Sequence, residues 1–380
     1  MKIEGACIYE GFTGLSNQLF SLLIRIQQAR RANVDLLLID DFMMGLDTKE
    51  TCAIDKIFCM DSLNEAAYPV VVSGRRSIGL KIDKVEYGRE DHRIDVTSHF
   101  MEGKPENHEC RLRKFEISKS MDLNEMEGDP CPFQHKSLFI TYCVDSHYPI
   151  VKTYKEDSHH ISEPLTIDLD TISYPFRFGW VKSEGNKPEF DDIMRKLRFH
   201  PSFYKERPMN MVVGPRPKGR MHVLHLRVEP DGIAHWSHYN RMSHSAFEEA
   251  LHRKYIDILD THLLHSEAWQ EGDHMLVLSY SESNPVLDHL KKKGCPYMLI
   301  EKNRYRGREW NAIVDMAMAT SKGDGFFFGN FNLYLLRGST FSYVLHTLMK
   351  HRKKSILIDL DELTNKPIVV ESPLASLSSS

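Results

Sequence analysis

Three short segments hold residues suited to gripping an anion or a hydroxyl group. The first is His225-Leu226-Arg227-Val228-Glu229-Pro230-Asp231. If it is a strand, its side chains alternate faces. His225, Arg227 and Glu229 then share one side, and Leu224, Leu226 and Val228 the other. Arg227 carries a planar fork of donors that matches a diphosphate and cannot lose its charge. The same spacing also suits an Arg227–Glu229 ion pair at a sheet edge. Glu229 and Asp231 are the nearest carboxylates that could take a proton from a hydroxyl. Asp231 equally fits a Pro-Asp-Gly turn.

The second segment is Gly14-Leu15-Ser16-Asn17-Gln18. Gly14 allows close approach of the backbone to a ligand. Ser16 or Asn17 would cap the following helix, with free N–H groups ahead of it. A capped helix start needs no ligand, so both readings stand. The dinucleotide pattern Gly-x-Gly-x-x-Gly is absent from this loop. The third segment is Arg337-Gly338-Ser339-Thr340-Phe341-Ser342, with its hydroxyls where a late helix opens. Such a helix end cradles phosphate well, and a plain cap at Ser339 or Thr340 is the alternative. His235, His238 and His244 fit no strong zinc spacing and read as ordinary surface or core histidines.

These segments need a frame. A short apolar run at Ala6–Tyr9, a glycine-bearing loop at Gly11–Gly14, a helical repeat from Leu15 to Ile26 and a strand at Val34–Ile39 make a βαβ unit. Residues 50–135 read as an irregular elaboration of this first domain. Beyond Pro208–Arg220 the pattern becomes regular. Strands are expected at 223–228, 275–280, 297–300, 325–328 and 355–358. Helices are expected at 247–264, 285–292, 308–320 and 339–350, with Ser283 or Asn284 capping the second. Strict alternation points to a doubly wound parallel sheet, which binds ligands at the carboxyl ends of its strands. The expected organisation is α/β, with two Rossmann-like domains and a cleft between them. A first domain spans 1–205, a second 206–365, and a low-complexity tail 366–380 is expected to be disordered.

Composition excludes some partners. The chain has 380 residues and a formal net charge of −4. That balance offers no general basis for nucleic-acid binding. No run approaches the roughly 18 apolar residues of a membrane span. No signal peptide is visible at the N-terminus. Seven cysteines, without a Cys-x-x-Cys pair, read as reduced thiols, and a cytoplasmic location is expected.

Taken in order, GFTGLSNQLFSLL, HLRVEPD, VDMAMATSKGDGFFFGN and RGSTFS resemble the protein O-fucosyltransferase-like superfamily, including its α-1,2-fucosyltransferase relatives. The plant-type pattern His-Leu-Arg-x-Glu-x-Asp is met by His225, Leu226, Arg227, Glu229 and Asp231. The resemblance covers roughly residues 14–42 and 200–345. It implies a GT-B fold and an inverting, metal-independent glycosyltransferase that needs no cofactor. Its donor would be the sugar nucleotide GDP-fucose, and its acceptor a glycan or protein hydroxyl. By the same resemblance His225 would meet the base or ribose and Arg227 the β-phosphate. Asp315 would contact the base, with Asp324 as the alternative. Ser339, Thr340, Phe341 and Ser342 would line the phosphates, with Gly14 and Ser16 beside the donor. Asn17 would face the donor sugar and the acceptor. Relative to the family, FNLYLLR before Gly338 is an insertion. A UDP-linked pentose or hexose donor, or a catalytically silent glycan- or nucleotide-binding protein, are the competing readings.

Overall fold

The computed structural model describes residues 3–8, 14–45, 50–75, 78–101, 112, 114–117, 122–132, 134–144, 150–157, 160–161, 165–169, 187–205, 209–213, 218–265, 268–303, 305–349 and 351–371. They group into two compact units. One comprises Met1–Ile8, Arg25–Asp41 and Ala67–Pro175, and the other Tyr9–Ile24, Phe42–Ala66 and Phe176–Ser380. The grouping is not a single cut near residue 206. The segment that carries Gly14, Ser16 and Asn17 belongs with His225 and Arg227.

In the first unit, β1 (Ile3–Ala6), β2 (Leu36–Ile39) and β3 (Val71–Gly74) form a parallel sheet. β1 starts earlier than its apolar run suggests, because it pairs Ile3 with Leu36 and Ala6 with Ile39. The stretch expected to be irregular is partly a regular antiparallel sheet. β4 (Leu80–Arg89) pairs with β5 (His92–Asp95) and β6 (Ser137–Val144); β6 pairs with β7 (Ile150–Asp157), which pairs with β8 (His160–Ile161). The register shifts between Ile82 and Lys84. This irregularity breaks the period-2 signal by which a strand is read. Tyr87, Leu138, Ile140 and Tyr142 build the core of this unit.

The second unit holds a seven-stranded sheet. Its strands are β9 (Met209–Val213), β10 (Met221–His225), β11 (His274–Leu278), β12 (Tyr297–Ile300), β13 (Phe326–Gly329), β16 (Lys354–Leu357) and β17 (Ile368–Glu371), with the short hairpin strands β14 (Phe331–Asn332) and β15 (Arg337–Gly338) outside it. The spatial order is β9-β12-β11-β10-β13-β16-β17. The five inner strands are mutually parallel, and the two edge strands run antiparallel. Every residue of β10, β11 and β13 is buried. Such runs suit a sheet covered on both faces. Two expectations change here. Part of the 208–220 stretch, beyond which the regular strand–helix pattern was expected to begin, is already an edge strand, Met209–Val213. Part of the expected tail, Ile368–Glu371, is the opposite edge strand; residues 372–380 lie outside the described residues. Edge strands hold by backbone pairing and carry little apolar pattern to announce them.

The helices are α1 (Leu15–Arg31), whose first turns belong to this unit, α2 (Pro230–Tyr239), α3 (His244–Leu259), α4 (Pro285–Lys292), α5 (Arg308–Lys322) and α6 (Thr340–Leu348). Asn284 caps α4, its side chain accepting from the Val286 and Leu287 N–H groups. Neither Ser16 nor Asn17 caps α1: both lie inside its first turn, since the helix starts at Leu15. The loop residues Gly11, Phe12 and Thr13 are outside the described residues. Pro230 does more than end a strand. It occupies the first position of α2, where its missing N–H costs nothing, so Asp231 lies in a helical first turn and not in a Pro-Asp-Gly turn.

Order along the inner strands reverses between β10 and β13, the switch point where such sheets open a crevice. A buried polar knot closes the sheet there. Tyr255 of α3 donates to the His225 carbonyl (3.0 Å) and accepts from the Arg227 N–H (3.1 Å). Asn330, just past β13, donates its amide to the same phenol. Tyr255 is fully buried, so its phenol has no water to fall back on. Tyr255→Phe should leave the Arg227 N–H unpaired and the His225 carbonyl with only the long Asn330 amide contact (3.4 Å), and destabilise the protein by roughly 2 kcal/mol, measured as a shift in chemical denaturation. A loss under about 1 kcal/mol would mean that other donors hold the strand end.

Candidate functional site

A cavity of about 380 Å³ opens at this switch point. Its size suits a small molecule. Its wall includes Gly14, Ser16, Asn17, His225, Arg227, Glu229, Asp231, Asp315, Ser339, Thr340 and Phe341. All of these were singled out from the sequence. Ser342 differs: it is fully buried and meets His225 behind the wall, its Oγ 2.7 Å from His225 Nδ1. Asp324 is elsewhere, accepting from the Met221 N–H at the amino end of β10 (2.7 Å).

The alternation of the 225–229 segment outlasts its strand. β10 ends at His225, yet Leu226 still donates to the Leu278 carbonyl (3.0 Å). Leu224, Leu226 and Val228 enter the core, while His225, Arg227 and Glu229 turn to the cavity. Each buried leucine stabilises this extended path by roughly 2 kcal/mol. The path thereby aims the polar side chains.

His225 packs against Phe341, with ring centroids 4.7 Å apart. Burial, with the Arg227 and Lys302 charges, pushes its pKa down to about 3, so the ring is neutral at physiological pH. Arg227 is the charged centre of the wall. It donates to Glu229 (2.5 Å) and, through both terminal nitrogens, to Asp231 (3.3 and 2.9 Å). Its guanidinium carbon lies 5.7 Å from the Trp236 ring centre. Gly232 makes room: a β-carbon there would sit 2.9 Å from Trp236 and 3.3 Å from the Arg227 guanidinium carbon. Arg308 adds a second cation 3.6 Å from Asp231. Burial works against the Asp231 charge, but Arg227, Arg308 and the Gly232 N–H outweigh it and lower its pKa. The ion pair weighed from spacing is thus present, and Asp231 is part of it. Held by an arginine and lowered in pKa, Asp231 is poorly placed as a base.

The start of α6 lines the same cavity. Ser339 occupies its cap position, yet no side chain caps the helix. The inserted FNLYLLR segment is a compact hairpin. β14 pairs Phe331 with Gly338 and Asn332 with Arg337, and the Asn332 side chain accepts from the Tyr334 and Leu335 N–H groups. The Ser339 N–H then reaches the Asn330 carbonyl (2.9 Å), which ties the helix start to the knot at β13. Asp315 receives Lys302 at 2.6 Å and is nearly buried.

Sequence reasoning missed Trp236, Ser279, Tyr280, Arg308 and Glu309 on the wall. Ser279 and Tyr280 follow β11, and Arg308 and Glu309 open the helix after β12. Both are carboxyl-end positions, so the strand rule held the signal without selecting these residues. Gly307, before α5, packs its backbone against another segment: a β-carbon there would meet the Met44 carbonyl at 2.0 Å. Among the described residues no cluster of three or more potential metal ligands occurs. None of the described helices is long and apolar enough to cross a membrane.

No family model matches the sequence, and no curated protein matches it. Among solved structures, the chain is similar to the fucosyltransferase NodZ from Bradyrhizobium, at 12% identity and TM-score 0.44, over 98% of this chain and 100% of that one. It is also similar to POFUT1 in complex with GDP-fucose, at 9% identity and TM-score 0.44, over 96% of each chain, and to POFUT1 in complex with GDP, at 10% identity and TM-score 0.42, over 96% of each chain.

Glu309 is 4% exposed, and its Oε2 has no hydrogen-bond partner among the described residues. Burial raises its pKa. A carboxyl raised by folding contributes stability that is fully present below the ordinary carboxylate range and is lost as pH rises through the folded value. Glu309→Gln should therefore melt higher than the unmodified chain near about pH 8, the difference closing as pH falls toward about 4.5. Equal melting temperatures across that range would mean that the carboxylate is compensated.

Proposed function

We propose that the second unit binds a sugar nucleotide at this cavity and that the chain is an inverting, metal-independent glycosyltransferase, transferring fucose from GDP-fucose to a glycan or protein hydroxyl. The carrying observation is Arg227, aimed into the cavity at the sheet's switch point, with the uncapped start of α6 on the same wall. The motif order read from the sequence supports the choice of donor. The proposal includes the GT-B arrangement, and each unit does contain a parallel sheet.

Sugar transfer leaves negative charge on the departing diphosphate. Fixed donors aimed at that charge supply most of the rate enhancement. In this reading Arg227 supplies the fork, and Ser339, Thr340 and the free N–H groups of α6 the remainder. The diphosphate must compete with Glu229 and Asp231 for Arg227. An arginine held in place by carboxylates is already oriented, so little side-chain freedom is lost when the ligand replaces one of them. His225 stays neutral and offers no competing charge. Asp315, with Lys302, borders the part of the cavity assigned to the base, and Asn17 the part assigned to the sugar.

A catalytically silent nucleotide-binding protein is favoured by one observation, the commitment of Arg227 to two carboxylates. Thermal shifts with GDP and UDP, followed by donor turnover, separate these readings. GDP is expected to raise the melting temperature and UDP to leave it unchanged. UDP acting alone would overturn the GDP-fucose assignment, and GDP binding without any turnover of GDP-fucose would favour the silent protein. Arg227→Ala should weaken GDP binding by roughly 100-fold or more, and Arg227→Lys should recover little of it, because lysine has no fork. Unchanged GDP affinity in Arg227→Ala would remove this residue from the site.

A further inference from the structure

The cavity wall carries a second arginine, Arg308, the first residue of α5. It converges with Arg227 on one atom. Asp231 Oδ2 lies 2.9 Å from a terminal nitrogen of Arg227 and 3.6 Å from one of Arg308. The two cations come from different segments, α5 and the chain just past β10. They meet around a single carboxylate oxygen of α2. A carboxylate so placed occupies the position of an anion between two arginines.

Charge balance shows what Arg308 adds. Arg227 already faces Glu229 at 2.5 Å and Asp231 at 2.9 Å. One cation offset by two carboxylates offers a diphosphate no net attraction. With Arg308 the group holds two cations against two carboxylates, and movement of Asp231 out of it leaves the group positive. Arg308 is also held loosely. Its side chain is 51% exposed and that of Asp231 56%, and 3.6 Å is longer than a hydrogen bond. An exposed ion pair of this kind stabilises little, so giving it up costs little. The start of a helix carries positive charge from its free N–H groups, which favours an acidic residue there and disfavours an arginine. Helix stability therefore gives no reason for a cation at this position, whereas an anion in the cavity does.

We infer that Arg308 and Arg227 together grip the β-phosphate of a nucleoside diphosphate, which takes the place between them that Asp231 Oδ2 holds in the empty cavity. This rests on the sugar-nucleotide reading of the same cavity. It adds a binding residue that the sequence motifs did not include, and it gives the site a preference for diphosphates over monophosphates.

The test is calorimetric titration with GDP and GMP of the unmodified chain, Arg308→Ala, Asp231→Asn and the double variant. Arg308 is half exposed, so its loss is compatible with folding, which circular dichroism of each variant checks. The unmodified chain should prefer GDP to GMP by about tenfold or more. Arg308→Ala should lose most of that preference, through GDP binding weakened by roughly tenfold. The same GDP loss is expected when Arg308→Ala is added to Asp231→Asn, because the contact is with the phosphate and not with Asp231. An undiminished GDP preference in Arg308→Ala would overturn the inference. So would a GDP loss that vanishes in the Asp231→Asn background, which would make Arg308 a positioning residue acting through Asp231. An unmodified chain that does not bind GDP would overturn the GDP-fucose reading itself, and this inference with it; that outcome is read from the unmodified chain alone.

Discussion

Tyr255 is a single phenol on which the carboxyl ends of two strands depend. It donates to the His225 carbonyl and accepts from the Arg227 N–H, and Asn330 reaches it from the end of β13. β10 has stopped pairing as a strand at this point, so its backbone groups need partners from elsewhere. The phenol supplies them from α3 and keeps the chain extended for four more residues. Asn330 then passes the constraint on. Its N–H donates to Ser342 Oγ, and its carbonyl accepts from the Ser339 N–H. His225, Arg227 and the start of α6 are thus located by one buried polar network. Such networks rigidify when every member is satisfied.

The electrostatics of the cavity follow from this rigidity. Arg227 is fixed by its own backbone, flanked by Trp236, and left room by Gly232. Its charge is balanced by Glu229 and Asp231, and Arg308 extends the cluster. A buried arginine without those carboxylates would carry a desolvation cost with no return. The arrangement therefore serves stability in the empty cavity, and anion binding becomes an exchange of partners. Neutral His225 and the paired Asp315 add no uncompensated charge. Glu309 is the departure from this balance.

Several features of the frame were legible because they depend on local chemistry. The strand at Tyr297–Ile300 and the helix at Pro285–Lys292, capped by Asn284, fall where period and capping residues place them. The alternation of Leu224, Leu226 and Val228 against His225, Arg227 and Glu229 also persists, since a buried apolar face tolerates no slip. Other features were not legible. β4 hides its period behind a register shift near Asp83. β9 is held by pairing with β12, a neighbour distant in sequence, and β17 by adding to the edge of β16. Ser16 and Asn17 look like caps, but the helix begins at Leu15 and takes them inside.

By itself the sequence determined which residues could do chemistry, and that His225, Arg227 and Glu229 face one way. It also determined that the hydroxyls of Ser339 and Thr340 stand at a helix start. Only the tertiary structure decided what those residues meet. Arg227 has two carboxylate partners because α2 begins at Pro230 and turns Asp231 back upon it, a matter of helix geometry after the strand. Ser342 serves His225 instead of the cavity because the inner face of α6 is buried. Glu309 Oε2 is buried without a partner among the described residues, which depends on the segments that pack around the start of α5. Local chemistry is written in residue type and spacing. Pairing and its absence depend on which distant segments fold against each other.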